Sequence, residues 1–193
     1  MKSWSEIPVH IIPSEQNLID DLLSPTGFLS IPAYISPRGL LRRQCTNMYK
    51  IQYVRKFIRS MLGLKRYQHM KQPVLGLYGI SANEAKRAKP SREKWVVANY
   101  PLVEGNITRS DCLKLCDSVN IQRPRRSTCI CCPLHSNTDW AEIKGNGDNP
   151  TWNKVIEIDQ AIRNRPPSKM TEQVFLHHSY KPIEDVDLNK CAR

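Results

Sequence analysis

Glycine is scarce in this sequence, and long apolar runs are missing from it. Only 8 of the 193 residues are glycine, and no two of them are adjacent. The longest apolar runs, at 73–78 and 95–98, are far shorter than the ~20 residues of a membrane-spanning helix. No apolar stretch near the first residue suits a signal peptide. These absences exclude a helical membrane protein and predict a cytoplasmic protein without a membrane partner.

What is present is the composition of a folded domain. Apolar residues make up 40% of the chain and charged residues 24%, which argues against wholesale disorder. The length predicts a single domain over 1–193. Within it we expect a strand-and-loop lead-in at 1–37, a core with the functional site at 38–165 and an extended tail at 166–193.

Basic residues outnumber acidic ones, and the imbalance is concentrated in one part of the chain. Lysine and arginine number 29 against 18 acidic residues, a net charge of +11. Residues 38–94 hold fifteen basic and two acidic residues. Such a block predicts contact with phosphates, either of a nucleic acid or of a small anion. The alternative is a basic surface that is only solvated.

A disulfide framework is not expected, because seven cysteines are an odd number in a chain without a signal peptide. Cys129 and Cys132 are three apart in a predicted turn, so both thiolates can bind one soft ion. A complete site needs about four ligands. Candidates for the other two are Cys45 and Cys112, with Cys116 as a substitute for Cys112. The cysteines expected to pack in the core or to have no role are Cys116, Cys131 and Cys191.

The hydrophobic pattern predicts strands that alternate with helices. The predicted elements are a helix at 46–62, strands at 73–80 and 95–100, and a helix that follows Pro150. Two capping boxes, Ser81 with Glu84 and Thr108 with Asp111, predict that a helix follows each strand. This alternation predicts an α/β fold class.

Basic side chains cluster around the helix that begins after Cys45. Arg42 and Arg43 precede this helix, Thr46 can cap it, and Lys50 lies near its start. Guanidinium groups, an ammonium group and free backbone N–H groups at a helix N-terminus together form an oxyanion pocket. Further cations that either contribute to the pocket or are only solvated are Arg87, Arg109, Arg123, Arg125 and Arg126.

Three histidines are expected in polar roles. His135 follows the cysteine pair by three residues, so it is a fifth metal ligand, an anion contact or a surface histidine, and a polar role near the metal site is favoured. In an extended segment the adjacent His177 and His178 point to opposite sides. At most one of them faces the interior, and we expect it to form a structural hydrogen bond.

Five motifs follow one another along the chain. They are Arg42-Arg43-Gln44-Cys45-Thr46-x-x-Tyr49-Lys50-Ile51, Gly79-Ile80-Ser81-x-x-Glu84-x-x-Arg87, Tyr100-Pro101-Leu102, Thr108-Arg109-x-Asp111-Cys112 and Ser127-x-Cys129-x-x-Cys132-Pro133-x-His135. Together they resemble the later half of phage and bacterial phosphoadenosine phosphosulfate reductase-like proteins, in the adenine nucleotide alpha hydrolase-like superfamily. The resemblance spans roughly residues 28–188.

The resemblance implies a partial Rossmann-like parallel sheet flanked by helices, with a cysteine-rich metal-binding segment. It implies a 4Fe–4S iron–sulfur cluster, with zinc as the alternative, held by Cys45, Cys112, Cys129 and Cys132. It also implies that an adenine nucleotide or sulfonucleotide binds next to this metal site. The side chains expected to bind the nucleotide's anionic groups are Arg42, Arg43, Lys50, Arg87, Arg109 and His135.

The phosphate loop of the family's enzymes, Ser-Gly-Gly-x-Asp-Ser, is absent from this sequence. The glycines of that loop let backbone N–H groups approach the nucleotide phosphates. Whether the chain is an enzyme is therefore left open, and catalysis is expected only with a partner protein that supplies the loop. The alternative function is a non-catalytic, metal-stabilised module that binds nucleic acid or protein through its basic segment.

Overall fold

The computed structural model describes residues 7–65, 68–124, 128–145, 147–166 and 171–189. The chain divides into two compact units: unit 1 comprises 1–61 and 128–193, and unit 2 comprises 62–127. The predicted boundaries at 37 and 165 both fall within unit 1. The predictions for Arg125, Arg126 and Cys191 lie outside the described residues.

Six α-helices and five strands are present in the described residues. The helices are α1 (Leu18–Leu23), α2 (Gln52–Met61), α3 (Pro101–Glu104), α4 (Arg109–Ser118), α5 (Asn137–Lys144) and α6 (Pro150–Arg163). The strands are β1 (Tyr34–Ile35), β2 (Gly39–Leu40), β3 (Val74–Leu77), β4 (Val96–Asn99) and β5 (Val174–Phe175). A π-helix spans Asn47–Ile51, and 3₁₀ helices span Ala82–Arg87 and Ile183–Asp185.

The helix predicted at 46–62 is confirmed as the π-helix followed directly by α2. It ends at Met61, and Gly63 follows in the turn with a φ of +65°, in the left-handed region that glycine adopts without strain. The prediction that Thr46 caps this helix is wrong. Thr46 has helical backbone angles and its side chain makes no capping hydrogen bond, whereas an N-cap residue needs a non-helical backbone.

The sheet of unit 1 has three short strands in the order β2-β1-β5, and both pairings are antiparallel. Tyr34 of β1 lies opposite Leu40 on one side and Phe175 on the other. Each of these strands is only two residues long. A strand of this length carries no recognisable alternation, so the predicted strand-and-loop lead-in at 1–37 did not specify these pairings.

The core of unit 1 is built around α6. Asn149 caps this helix, because its side chain accepts the N–H of Thr151, and Pro150 occupies the first helical position. α6 packs against α1, α5 and β5. The buried apolar side chains of the core are Leu22, Leu29, Ile31, Ala33, Ile35, Cys131, Trp140, Trp152, Val155, Ile158, Ile162, Val174, Leu176 and Ile183. The core therefore includes part of the predicted lead-in and part of the predicted tail.

A buried carboxylate on α6 anchors the last part of the chain. Asp159 is fully buried and accepts the N–H groups of Leu176 at 2.9 Å and Ile183 at 3.1 Å. It also accepts a hydrogen bond from the guanidinium of Arg163 at 2.5 Å. A buried charge needs such partners. The segment after β5 is thus held against α6 by backbone hydrogen bonds.

Unit 2 contains one parallel pair of strands. β3 pairs with β4 in the register Val74 with Val96 through Leu77 with Asn99, and a 3₁₀ helix lies between them in sequence. The side chains of these two strands are largely exposed: Leu75 by 61%, Leu77 by 67% and Val97 by 52%. Within 62–65 and 68–124, the described part of this unit, no side chain is buried.

The two predicted capping boxes have different outcomes. Thr108 accepts the N–H of Asp111, whose carboxylate accepts the N–H of Thr108, so this box is confirmed at the start of α4. The box at Ser81 is wrong, because the Ser81 side chain makes no capping hydrogen bond and the helix is of the 3₁₀ type. Glu84 pairs instead with Arg87 at 2.6 Å.

The predicted α/β class is confirmed in its coarse form: helices are combined with small sheets, one of which is a parallel pair. A Rossmann-like sheet flanked by helices remains a prediction. Among the residues that the structure describes, no helix combines the length and the apolar composition required to traverse a bilayer.

Candidate functional site

The cysteine turn of unit 1 is closed by backbone hydrogen bonds. The N–H of Cys132 donates to the carbonyl of Cys129 at 3.0 Å, and the N–H of His135 donates to the carbonyl of Cys132 at 3.2 Å. α5 follows at once, with Ser136 and Asp139 forming a capping box. The turn is therefore fixed at the start of a capped helix.

The thiol of Cys132 is surrounded by the groups that the sequence analysis singled out. Burial raises its pKa most, and thiolates at Cys129 and Cys45 raise it further. The backbone N–H of Leu134 donates to its sulfur, and this hydrogen bond and the charge of Arg43 both lower its pKa. Within unit 1, the backbone hydrogen bond of the turn joins Cys129 to Cys132, and Cys45 packs against the core that contains the adjacent Cys131.

The segment that carries Cys45 is tied to the first part of unit 1. The N–H groups of Gln44 and Cys45 both donate to the carbonyl of Ser30 at 2.9 Å. Tyr49, less than two turns further on, donates its hydroxyl hydrogen to the carboxylate of Asp21. Burial, followed by this hydrogen bond, raises the pKa of Tyr49 to about 12. Both contacts hold Cys45 in place independently of any metal.

Two backbone N–H groups at the start of this helix, where the oxyanion pocket is predicted, are already engaged. The N–H groups of Asn47 and Met48 donate to the carbonyl of Gln44 at 3.0 and 3.1 Å. The guanidinium and ammonium groups remain as donors. Arg42, Arg43 and Lys50 are exposed and make no ion pair with a described acidic residue.

His135 supports the cysteine turn. The ring is buried, its Nε2 lies 2.9 Å from the carbonyl oxygen of Cys129, and its Nδ1 lies 3.9 Å from the carboxylate of Asp139. The ring also contacts Trp140 edge-on, with centroids 4.7 Å apart. Because Nε2 is engaged by the carbonyl of Cys129, we do not propose His135 as an anion-binding group.

The other predicted site residues belong to unit 2. Cys112 and Cys116 lie one turn apart on α4 and are both half-buried. Arg87 pairs with Glu84, and the backbone N–H of Arg109 donates to Asn83 at 2.8 Å while its side chain is exposed. That Cys112, Arg87 and Arg109 share one site with Cys45 remains a prediction.

Cys131 has the role predicted for it. Its side chain is fully buried in the core, and burial raises the pKa of its thiol to about 12. A neutral thiol of this kind is an apolar packing group. Cys131 therefore separates two neighbouring cysteines that lie closer to solvent, since Cys129 is exposed and Cys132 is half-buried.

The thiols of Cys45, Cys129 and Cys132 have the chemistry of a soft-metal site. An N–H donor to a cysteine sulfur, such as that of Leu134, stabilises the thiolate that a metal binds. Among the described residues, however, no three histidine, cysteine or acidic side chains are arranged as a ligand set. Ligand sets commonly form as the metal binds, so the donor chemistry fits such an ion.

Unit 2 also contains an open recess of about 470 Å³. None of the predicted metal or anion-binding residues lines it. The residues that line it are Ala88, Lys89, Pro90, Ser91, Glu93, Lys94, Val96, Val97, Ala98 and Tyr100.

An aromatic group that was not predicted from the sequence is formed by Tyr34, His178 and Tyr180. The ring of Tyr34 lies 6.2 Å from that of His178 and 6.3 Å from that of Tyr180, and both pairs are edge-to-face. His178, one of the adjacent pair His177 and His178, was the only part of this group that the sequence pattern indicated. No motif marks Tyr34, which is brought there by the pairing of β1 with β5.

Comparison with protein-family models, with curated proteins and with solved structures found no match to this chain. The functional assignment therefore depends on the motifs of the sequence and on the geometry of the cysteine turn.

Proposed function

We propose that this chain is a phosphoadenosine phosphosulfate reductase-like protein that binds an adenine nucleotide or sulfonucleotide beside a metal centre held by cysteines. One observation supports this most directly. Cys45, 84 residues before Cys129 in the sequence, packs against the core that contains Cys131, and charges at Cys45 and at Arg43 both act on the pKa of Cys132. In this proposal the three thiols are soft-metal ligands and Arg43 is the neighbouring anion-binding group.

The proposed ligands are Cys45, Cys129 and Cys132, with Cys112 predicted as the fourth. Four thiolates suit either a 4Fe–4S cluster or zinc, and we propose the iron–sulfur cluster because of the resemblance. A bound cluster would supply electron transfer, whereas zinc would contribute stability alone. The chain's own side chains hold the turn in place, as His135 does through the carbonyl of Cys129.

Arg42, Arg43 and Lys50 are proposed to bind the anionic oxygens of the nucleotide. Their exposed cationic groups lie within the short segment 42–50, which includes Cys45. Guanidinium groups match phosphate and sulfate oxygens through paired N–H donors. Turnover is proposed to require a partner protein that supplies a glycine-rich phosphate loop.

The test is anaerobic purification of the full chain, followed by iron, sulfide and zinc analysis and a visible absorption spectrum. We expect a brown protein that contains iron and an equivalent amount of sulfide. Protein that contains one zinc ion and no sulfide would favour zinc with a structural role over the iron–sulfur cluster. Protein that retains neither metal would contradict the proposal.

Cysteine variants assign the ligands. Cys129→Ser and Cys132→Ser are expected to remove metal retention and to lower the thermal midpoint, because metal binding energy contributes to folding. Cys112→Ser is expected to do the same if Cys112 is the fourth ligand. Cys116→Ser, one helical turn away on α4, is the matched control and should retain the metal. Equal metal content in all four variants would contradict the assignment.

A second candidate function is favoured by charge. No acidic residue occurs between Asp21 and Glu84, and this stretch includes Arg42, Lys50 and Lys56, which are exposed and have no ion pair with a described acidic residue. This is the electrostatic pattern of a nucleic-acid-binding module. Binding of single-stranded or duplex DNA that weakens steeply with salt, with no nucleotide binding, would favour it over the first proposal.

A further inference from the structure

The turn that follows β5 presents two rings at the surface of unit 1. Tyr180 is 37% exposed and His178 is exposed as well. The backbone of the turn is closed by the N–H of Tyr180, which donates to the carbonyl of His177 at 3.2 Å. Aromatic rings that only filled a core would be covered, whereas these two keep part of their surface open to solvent.

Tyr180 is held in an unusual backbone conformation. Its φ of +56° lies in the left-handed region, where a bulky side chain is an outlier. Such a conformation persists only where the surroundings fix it, and it is found most often at binding and catalytic sites. It therefore suggests that the position of this ring matters to the protein.

His177 fixes the turn to the cysteine segment. The ring is 2% exposed, and its Nδ1 accepts the backbone N–H of Ser179 at 3.1 Å. Its Nε2 lies 3.0 Å from Oδ1 of Asn137, the first residue of α5. Because α5 begins directly after the cysteine turn, the rings of His178 and Tyr180 are positioned relative to Cys132.

Tyr34 forms the support of this surface. Its ring meets those of His178 and Tyr180 at interplanar angles of 67° and 89°. The edges of one ring thus meet the faces of others, an arrangement that orders aromatic groups. The pKa of Tyr34 is raised first by burial, then by Tyr180 and last by a charge at Cys132.

We propose that His178 and Tyr180, supported by Tyr34, bind the planar base of an adenine nucleotide, with Arg43 as the cation for its phosphate. Bases stack on aromatic side chains in proteins that combine such rings with nearby cations. The site has both parts, because Leu40 pairs with Tyr34 and the N–H of Leu41 donates to the carbonyl of Ala33 at 2.8 Å, so that Arg43 follows two residues after this contact. This inference rests on the proposed nucleotide-binding function and adds the residues that recognise the base.

The test is calorimetric titration of the metal-loaded full chain with AMP and with ribose 5-phosphate, which lacks the base. Tyr180→Asn removes the ring but keeps a residue that tolerates positive φ, and we expect it to weaken AMP binding roughly tenfold. Binding of ribose 5-phosphate should not change. His178→Ala should have the same selective effect, whereas Tyr180→Phe should bind AMP like the unaltered protein.

Tyr53→Ala is the matched control. Tyr53 is a half-buried tyrosine of α2 that contacts Lys56, with the ammonium 5.4 Å from the ring centroid, and its loss should leave AMP binding unchanged. Unchanged AMP affinity in both Tyr180→Asn and His178→Ala would overturn the base site and leave the proposed function intact. Failure of the unaltered protein to bind AMP at all would overturn both.

Discussion

His177 is the buried imidazole through which the end of β5 is joined to the start of α5. Because Nδ1 accepts the N–H of Ser179, the ring hydrogen lies on Nε2, which donates to Asn137. The pKa of His177 is lowered from 6.5 to about 4, first by burial and second by the neighbouring His178. The ring is therefore neutral over the physiological range.

The lowered pKa of His177 predicts a loss of stability in mild acid. Between pH 6.5 and 4 the unfolded chain binds a proton that the folded chain does not, so the stabilisation is complete above pH 6.5 and is lost as the pH falls towards 4. A pKa difference of this size between the folded and the unfolded chain corresponds to roughly 3 kcal/mol of unfolding free energy. Urea denaturation at pH 7 and pH 4.5 measures the change in unfolding free energy.

The corresponding variant is His177→Gln, for which the loss between pH 7 and pH 4.5 should be much smaller than in the unaltered protein. His69→Gln is the control and should keep the full pH dependence. If His177→Gln and the unaltered protein lose equal stability over this range, His177 is not the titrating group.

Arg165 is a second side chain that joins distant segments of unit 1. Its guanidinium donates to the carbonyl groups of Leu22, Asp21 and Gly27, at and just after the end of α1. Burial lowers its pKa. The last carbonyls of a helix have no partner within the helix, and here a residue that follows α6 supplies one.

At the scale of the element, the same sequence pattern caps some helices of this chain and fails to cap another. Thr108 and Ser136 close complete capping boxes at α4 and α5. Ser81 precedes a helix of the 3₁₀ type and makes no capping bond. All three are serine or threonine three residues before an acidic residue, so the sequence pattern alone does not distinguish them.

Ser136→Ala is expected to destabilise the protein by about 1 kcal/mol, because it leaves the N–H of Asp139 without its side-chain acceptor. Ser81→Ala removes no capping hydrogen bond and should change the unfolding free energy by less than about 0.5 kcal/mol. Chemical denaturation of the two variants tests the difference. Equal destabilisation would contradict the capping geometry at both positions.

At the scale of the whole molecule, burial is concentrated in unit 1. Every buried residue in the described part of the chain belongs to it. Unit 2 has hydrogen-bonded strands and a capped helix, but its described side chains are all at least partly exposed. Backbone protection depends on buried apolar contacts as well as on hydrogen bonds, so the two units should differ in local stability.

Amide hydrogen exchange followed by mass spectrometry should show this difference. We expect α6 to exchange slowest in the chain, because five of its residues are buried, and we expect β3, β4 and α4 to exchange faster. Protection of β3 and β4 equal to that of α6 would show that unit 2 is covered by a surface that its own side chains do not provide.

The sequence by itself determined the local elements. The helices near 46–62 and after Pro150, the strands within 73–80 and 95–100 and the cap at Thr108 follow from periodicity and from short-range hydrogen bonding, which act within a few residues. The burial of Cys131 and of one histidine in the 177–178 pair was also predicted. These features depend on the immediate neighbours of each residue.

The tertiary structure alone decided which distant residues meet. It paired two-residue strands in a register that no sequence pattern specifies, placed Asp159 against the segment after β5 and brought Tyr34 against Tyr180. It also assigned the N–H groups of Asn47 and Met48 to Gln44. Such contacts depend on how the whole chain packs, because their free energy comes from burial and hydrogen bonding between residues far apart in sequence.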